Sequence, residues 1–323
     1  MSALRPPQVS VVMPAYNIEP YIAAAVRSAL ATGLPDVEVL VVDDGSTDGT
    51  VAAVRAIDDA RITVIEAARS GGPSRPRNIG LARARAPYVS LLDSDDLLKP
   101  GKLGASVAAL EACPSAGLAF GDYEKMDPDG NVFETSFVYD YPVFQSLAWR
   151  PAGDDWRLIQ QHELARGLLY ENFIGTSGVV MRTELVRHLG GFLEELPNGD
   201  DLDLWFRLAH CCDALYSPRV GHSYRMRAGS VVRGPRIRNA LSSIKIMERE
   251  KARWHERAPR RQLDRRIAEY LAVIGFQQRQ QQQRWSAARS YLRAYATHPE
   301  TRWLAASIAA ALLAPEPAVV LRE

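Results

Sequence analysis

Apolar positions in the first third of the chain form short unbroken runs separated by stretches with helical spacing. Val9-Ser10-Val11-Val12-Met13 is a β-branched run closed by Pro14, and Val37-Glu38-Val39-Leu40-Val41-Val42 is a second that ends at Asp43-Asp44. Ile62-Thr63-Val64-Ile65 and Tyr88 to Leu92 read as two further strands. Between them the spacing predicts a helix over Tyr21 to Thr32, with Pro20 in its first turn and Gly33 beyond its end, and helices near Val51 to Ile57 and over Ser74 to Arg85. Strands apolar on both faces, alternating with helices, predict an α/β fold with a mostly parallel sheet and helices on both faces.

Beyond Gly101 the pattern loosens. Gly101 to Ala112 reads as a helix, Leu118 to Tyr123 and Ser177 to Arg182 as strands, and Asp201 to Cys211 as a helix with Leu204, Leu208 and Cys211 along one face. Asp127-Pro128-Asp129-Gly130-Asn131 predicts a hairpin turn. Tyr139 to Arg150 is aromatic and irregular, and is expected to form a substrate-facing loop. From about Pro235 the chain turns helical and basic. Gln277 to Arg284 reads as a solvated helix face, and Ala287 to Ala296 with Trp303 to Ala314 as an antiparallel helix pair without a repeat period. The expected organisation is an α/β domain over residues 1–230 and a C-terminal helical extension over 231–323.

Composition narrows the class. The 323 residues are 47% apolar and 24% charged, an ordinary globular profile, and a net charge of +1 provides no field that would draw nucleic acid. Cys113, Cys211 and Cys212 form no CxxC pair and no metal-ligand spacing, so they read as reduced core thiols. The N-terminal MSALRPPQ lacks the apolar run of a secretory leader. Trp303 to Ala314, ended by Pro315 and Pro317, is shorter than the ~20 residues that span a bilayer. A cytoplasmic protein is expected, with peripheral contact at the inner face of a membrane retained as an option.

The acidic residues carry the chemical information. In Val89 to Pro100, VSLLDSDDLLKP, a buried run leads straight into Asp93, Asp95 and Asp96. Like charges this close raise each other's pKa, so a positive partner is expected beside them. Pro14-Ala15-Tyr16-Asn17 and Asp43-Asp44 also close predicted strands, and in parallel sheets ligands gather outside the strands' carboxyl ends. These groups should therefore line one edge, where clustered carboxylates suit a hard divalent cation, magnesium or manganese, bridging to phosphate. Each motif alone has a plainer reading. Asp43-Asp44-Gly45 is a common strand-end turn, Asp96 suits a helix cap, and Asp200 to Asp203 suits the first turn of a helix, to which Asp203 is assigned. The Asp93 segment lacks the glycine and closing glutamate of an EF-hand. Of Arg75, Arg77, Arg83 and Arg85, only Arg77 is expected at a site; Trp205 is expected in the core or a pocket wall.

Four segments, VSVVMPAYN, VVDDGSTDGT, GPSRPRNIGLARARAPYVSLLDSDD and NGDDLDLWFRL, occur in this order over Val9 to Arg227. Together they resemble the family 2 glycosyltransferases, inverting enzymes that use nucleotide sugars and have the Rossmann-like, nucleotide-binding GT-A fold. The resemblance implies that Pro14, Ala15 and Tyr16 meet the base and ribose, and that Asp44 hydrogen-bonds the base with Asp43 beside it. It places Arg77 and Asn78 near the nucleotide and makes Asp93, Asp95 and Asp96 the DxD-type element. Asp95 and Asp96 are thereby expected to meet ribose, metal and diphosphate. Asp201 matches the catalytic base, with Asp200 beside it on the donor side; many members have Glu-Asp where this chain has Asp200-Asp201. His222, in GHSYRMRAGS, falls where some GT-A enzymes place a phosphate contact, and also reads as a structural histidine. Arg225 and Arg227 in the same loop are expected either to clamp a diphosphate or to be solvated. The helical tail inherits nothing from the family.

The implied reaction fits the equipment. Inverting transfer needs a base for the acceptor hydroxyl and charge compensation on the departing diphosphate, which separate acids and a cation could supply. The expected partners are a nucleotide-diphosphate sugar and a carbohydrate or lipid-linked acceptor, met by Phe137 to Glu171 and the helical tail. A sugar nucleotidyltransferase is the alternative enzyme, although the first strand ends in PAYN rather than a glycine-rich, arginine-containing loop. No GxGxxG follows that strand, which argues against a dinucleotide-dependent dehydrogenase. A non-catalytic sugar- or nucleotide-binding module is the alternative outside enzymes.

Overall fold

The computed structural model describes residues 6–153, 155–227 and 236–312. The chain divides into two compact units, Met1–Ala228 and Gly229–Glu323. The expected boundary at residues 230/231, the start of the tail at Pro235 and the helix end at Ala314 lie outside the described residues.

The first unit opens with the predicted alternation: β1 (Val9–Ala15), α1 (Glu19–Leu30), β2 (Val37–Asp43), α2 (Thr50–Arg55), β3 (Ile62–Glu66), α3 (Ser74–Arg83) and β4 (Tyr88–Leu91). It continues through β5 (Leu97–Leu98), α4 (Lys102–Ala112), β6 (Ala116–Met126), β7 (Val132–Glu134), α5 (Pro142–Gln145), β8 (Arg150–Pro151) and β9 (Arg157–Ile159). It closes with α6 (Gln161–Leu168), β10 (Val180–Arg182), α7 (Thr183–His188), α8 (Asp200–Ala209) and β11 (Asp213–Arg225). The strands form one sheet in the order β3-β2-β1-β4-β10-β6-β11-β9-β8, with β5 against β11 and β7 against β6. The first four strands of that order are mutually parallel, and β11 runs parallel to β6. Between β4 and β6 lies β10, antiparallel to both, so β6 points the same way as β4. The mostly parallel α/β sheet is present, with antiparallel strands interleaved beyond β4.

Burial explains the continuous apolar strands. Val9, Val11 and Met13 join a core with Ile22, Ala25, Val26 and Ala29 of α1 and Leu103, Val107 and Leu110 of α4. On the opposite face, Val12 meets α3 at Gly80, where a Cβ would lie 2.4 Å from Val12 Cγ1. Only glycine allows α3 to lie this close to the sheet, one turn beyond Arg77. Farther along, Phe120, Phe144, Phe173 and Tyr216 pack with ring centroids 4.6–6.3 Å apart. Their packing gives partial order to Tyr139–Arg150, a segment read as irregular.

Two sequence expectations require correction. The residues around His222 belong to β11, a strand of thirteen residues, and not to a loop. Its register shifts between Ser217 and Val220, and such a bulge erases the period-two pattern that marks a strand in sequence. The glutamine-rich tract Gln277–Arg284 is only partly a helix face, because it carries the turn between two helices.

In the second unit, α9 (Arg236–Lys251), α10 (Arg257–Gln280), α11 (Arg284–Thr297) and α12 (Thr301–Leu312) are all helical. The glutamine tract ends α10 and turns at Gln282, which adopts φ 62°. Ala272, Ala287, Tyr291 and Ala310 form a small core joining the last three helices. No helix among the described residues is long and apolar enough to cross a membrane.

A buried cation lies within the first unit. Lys102 opens α4, and its Nζ has no hydrogen-bond partner among the described residues. The Trp156 ring lies 5.5 Å from it. Burial pulls the Lys102 pKa down to about 7. The unfolded chain therefore binds more protons than the folded one between about pH 7 and the ordinary lysine pKa. Stability lost to this residue is greatest below that window and is regained as pH rises through it. Lys102→Met is expected to stabilise the protein by roughly 3–5 kcal/mol at or below neutral pH. The gain over wild type should shrink toward pH 10, as measured by denaturant unfolding across a pH series.

Candidate active site

The carboxyl ends of β1 and β2 lie side by side, with Ala15 opposite Asp43. The loops beyond them are bound together: the Asn17 N–H donates to Ser46 Oγ at 2.9 Å, and the Thr47 N–H to Asn17 Oδ1 at 2.8 Å. Pro14 is half-buried, Ala15 is buried, and the Tyr16 ring is 41% exposed at the edge. Asp43 and Asp44 are both buried. Asp43 accepts the Ser46 N–H at 3.0 Å through Oδ2, while its buried Oδ1 has no hydrogen-bond partner among the described residues. Asp44 is fully engaged. Its Oδ1 accepts the Ser70 N–H at 2.8 Å and the Ser70 hydroxyl at 2.7 Å, and its Oδ2 accepts the Gly71 N–H at 3.2 Å and Arg69 Nη1. The same Arg69 guanidinium lies 3.5 Å over the Tyr16 ring.

The positive charge required by the acid cluster is supplied by arginines. Arg77, 4% exposed, donates from Nη2 to Asp93 Oδ1 at 2.7 Å and from Nη1 to Asp200 Oδ2 at 2.8 Å. Burial alone would lower the Arg77 pKa, but Asp200, Asp93 and Asp201 outweigh it and hold the pKa above its ordinary value. Asp200 remains raised because burial, reinforced by Asp201, outweighs the Arg77 charge. Arg227 donates from Nε to Asp95 Oδ2 at 2.5 Å, and Arg225 donates from Nε to the Asp95 carbonyl at 2.8 Å. Neither is a solvated loop residue: Arg225 also donates to the carbonyls of Asp127 and Pro128, at 3.2 and 2.8 Å, and stacks on Tyr21.

Asp96 is the most enclosed of the three acids, at 1% exposed. Its Oδ2 accepts the Ser177 hydroxyl at 2.5 Å and its Oδ1 the Arg225 N–H at 2.8 Å. Burial, followed by the charges of Asp95 and Asp93, raises its pKa well above the carboxylate range. Asp95 is also raised, by burial and by Asp93, against the opposing pull of Arg227.

α8 begins after Gly199 with Asp200, Asp201 and Asp203 in its first turn, where acids complement the helix dipole. Asp203 binds Arg207 Nε at 2.7 Å and is buried, so it acts within the helix. Asp201 Oδ1 accepts the Leu202 N–H at 2.8 Å. Its Oδ2 accepts the Thr176 hydroxyl at 2.9 Å and Asn172 Nδ2 at 3.4 Å. Asn78 holds the segment that leads into α8: Nδ2 donates to the Phe192 carbonyl at 2.8 Å and to Glu194 at 3.0 Å, and Oδ1 accepts the Phe192 N–H at 2.8 Å. Trp205 is fully buried in the core.

Arg77 brings Asp93 and Asp200 together, and the consecutive residues Thr176 and Ser177 link Asp201 to Asp96. His222 is buried beside this point, stacked on Tyr123 at 4.9 Å. Burial, then Lys102 and Lys99, lowers its pKa to about 3 and keeps it neutral. Among the described residues no three Asp, Glu, His or Cys side chains form a cage ready for a metal ion. Asp93, Asp95 and Asp96 supply oxygen donors, and a divalent cation among them would relieve their mutual repulsion.

The profile of the family described as "Glycosyl transferase family 2" matches residues 10–176, just over half of the chain. This protein belongs to glycosyltransferase family 2. Among curated relatives, the succinoglycan biosynthesis protein ExoO of Rhizobium meliloti is 32% identical over 235 residues, covering 72% of this chain and 64% of that protein. The putative teichuronic acid biosynthesis glycosyltransferase TuaG of Bacillus subtilis is 38% identical over 126 residues, covering 38% of this chain and 50% of that one. The chain thus spans less than two thirds of either relative. Among solved structures, S. aureus TarS 1–349 in complex with UDP-GlcNAc superposes with a TM-score of 0.67 at 19% identity, covering 94% of this chain and 88% of that one. Mannosyltransferase PcManGT of Pyrobaculum calidifontis, in complex with GDP-Man and Mn2+, gives 0.55 at 22% identity, covering 96% and 82%. These neighbours have the GT-A fold expected from the motifs.

In this family 2 chain the acids are legible in the sequence, but several of their partners are not. Arg69, Asn172, Thr176 and Ser177 were not singled out, and Ser177 was read only as the start of a strand. The available signal was Gly175-Thr176-Ser177-Gly178, two hydroxyl residues between glycines beside an apolar strand. The double ion pair of Arg77 leads to a direct test. Arg77→Met leaves Asp93 and Asp200 uncompensated and is expected to cost roughly 3–5 kcal/mol in chemical denaturation. Adding Asp200→Asn should recover part of that loss by removing one uncompensated charge.

Proposed function

We propose that this family 2 glycosyltransferase moves a sugar, with inversion, from a nucleotide-diphosphate donor to an acceptor hydroxyl, with Asp201 as general base. The reading rests mainly on one observation: the consecutive residues Thr176 and Ser177 bind Asp201 and Asp96, so the acid suited to proton transfer lies close to the acid cluster suited to diphosphate and cation. Asp201 lies beyond the matched residues 10–176, so its role rests on this geometry together with the NGDDLDLW motif.

In this reading the acceptor hydroxyl approaches Asp201, whose carboxylate takes the proton as oxygen attacks the anomeric carbon. Donors on both Asp201 oxygens hold the carboxylate in a fixed plane. Pro14, Ala15 and Tyr16 line the base and ribose position, with Asp43 and Asp44 beneath them. Asp95 and Asp96 would hold Mn2+ or Mg2+, which as a Lewis acid would offset charge on the departing diphosphate. Asp93, Arg77 and Asp200 form the wall that fixes these groups. Asn78 contributes through the Phe192 segment that it positions.

ExoO and TuaG are named for succinoglycan and teichuronic acid biosynthesis, which supports a role in polysaccharide assembly; the acceptor we propose is a carbohydrate or lipid-linked glycan at the inner face of a membrane. The nucleotide sugars named with the two structural neighbours lead the donor panel. The deciding assay is metal-dependent release of nucleoside diphosphate from that panel. Pyrophosphate release would identify a nucleotidyltransferase, and binding without turnover would identify a non-catalytic module.

Three variants test the site. Asp201→Asn should retain donor binding in calorimetry while kcat falls on the order of 10²–10⁴-fold, whereas Asp96→Ala should weaken metal-dependent donor binding. Near-normal turnover in Asp201→Asn would remove it as the base. Arg69 occupies both the Tyr16 face and Asp44, the groups assigned to the nucleobase. Arg69→Ala is therefore expected to tighten binding of nucleoside diphosphate several-fold, about 1 kcal/mol. Weaker binding would mean that Arg69 covers the bound base.

A further inference from the structure

We infer that Thr176 and Ser177 are positioning residues that lock the candidate base and the acid cluster into one geometry. This inference rests on the glycosyl-transfer reading of the site and assigns roles to two residues outside the DxD and NGDDLDLW motifs. Adjacent Cα atoms are ~3.8 Å apart, so the two hydroxyls are carried by one short stretch of backbone and cannot be placed independently. Thr176 Oγ1 donates to Asp201 Oδ2 at 2.9 Å, and Ser177 Oγ donates to Asp96 Oδ2 at 2.5 Å. The Ser177 oxygen in turn accepts the Asp93 N–H at 3.1 Å. A hydroxyl has a single proton, and here both of its directions are used. The chain from the Asp93 amide through Ser177 to Asp96 is thus oriented, and successive bonds of this kind polarise one another.

The dipeptide is anchored to the strand that carries the acids. The Gly178 N–H donates to the Leu91 carbonyl at 2.8 Å, and the Leu91 N–H donates to the Val179 carbonyl at 3.3 Å. These bonds extend the pairing of β10 with β4 up to the two hydroxyls. Gly178 takes φ +74°, a left-handed turn that changes the chain direction between the ladder and Ser177. From beneath, the neutral His222 ring packs against Gly175 and Gly178 and fills the space under the turn. Asn172 adds a second side-chain donor to Asp201, at 3.4 Å.

The division of labour is specific. Thr176 fixes where Asp201 receives a proton, so its loss should act on turnover. Ser177 fixes Asp96 beneath the diphosphate and cation, so its loss should act on metal binding.

The test uses the full chain with a donor from the panel, MnCl2, and Thr176→Val, Thr176→Ser and Ser177→Ala. Thr176→Val keeps the shape and removes the hydroxyl. It is expected to lower kcat on the order of ten- to a hundredfold with donor KM within about twofold. Thr176→Ser restores the hydroxyl and should recover most of that loss, which a purely packing role would not produce. Ser177→Ala should weaken Mn2+ binding to the complex with uridine or guanosine diphosphate several-fold, read by electron paramagnetic resonance without turnover. Unchanged kcat in Thr176→Val, no difference between Thr176→Val and Thr176→Ser, or an unaltered Mn2+ titration in Ser177→Ala would overturn the inference. If Thr176→Val fails to fold, Thr176→Ala against Thr176→Ser makes the same comparison. A wild-type chain that turns over while the variants match it defeats this inference alone. A wild-type chain that releases no nucleoside diphosphate from any donor defeats the glycosyl-transfer reading and this inference with it.

Discussion

The site depends on a buried guanidinium held between two acids from distant parts of the chain. Arg77 on α3 binds Asp93 past the end of β4 and Asp200 at the start of α8. Taking three charges out of water is expensive, and only close, well-directed hydrogen bonds offset that cost. With one cation and two anions, the triad still carries a net negative charge. Burial, reinforced by Asp201, keeps Asp200 above its ordinary value although it is ion-paired, and the flanking acids make Arg77 hold its proton firmly. α3 can present Arg77 there because Gly80, one turn on, lets the helix approach β1 within a distance that any Cβ would block. A backbone requirement at one glycine thereby helps place a guanidinium that pairs with an acid 123 positions away.

That constraint orders the remaining groups. Once Arg77 places the first turn of α8, Asp201 projects beside Asp200 and meets Thr176. Once Asp93 is fixed, Asp95 and Asp96 follow within one turn and are caught by Arg227, Arg225 and Ser177. A cluster of three acids is unfavourable in isolation, and each acid here has a donor matched to it.

Much of this frame was legible in the sequence, and the limit has a physical cause. Strands buried on both faces, such as Val37–Asp43, need continuous apolar residues, so their positions and carboxyl ends could be read from a local pattern. The acids at those ends were legible for the same reason. The partners were not. Arg77 was singled out from several arginines, but nothing local tells that it faces Asp200, a residue separated by 123 positions. Thr176 and Ser177 act through single hydroxyls, which leave no periodic trace. β11 was partly hidden by its bulge, and Lys102, a charged residue at a helix start, gave no sign that it would be buried. Local periodicity encodes which surface a residue faces, while long-range pairing encodes what it meets there.

The charge arrangement also bears on how a nucleotide sugar could enter. Arg69 lies on Tyr16 and binds Asp44, and Arg227 binds Asp95. Both guanidiniums sit on groups that the proposed reaction reserves for the base and for the cation. A ligand arriving at either place would exchange one partner of an existing carboxylate for another, and would not have to assemble a new charged contact in a dry pocket. Desolvation of the acids has already been met in folding, so binding faces mainly the cost of moving two side chains that keep partial access to solvent. In the proposed reaction the site is thus rigid where Arg77, Thr176 and Ser177 bind Asp93, Asp200, Asp201 and Asp96, and exchangeable where Arg69 and Arg227 sit on the groups assigned to the base and the cation.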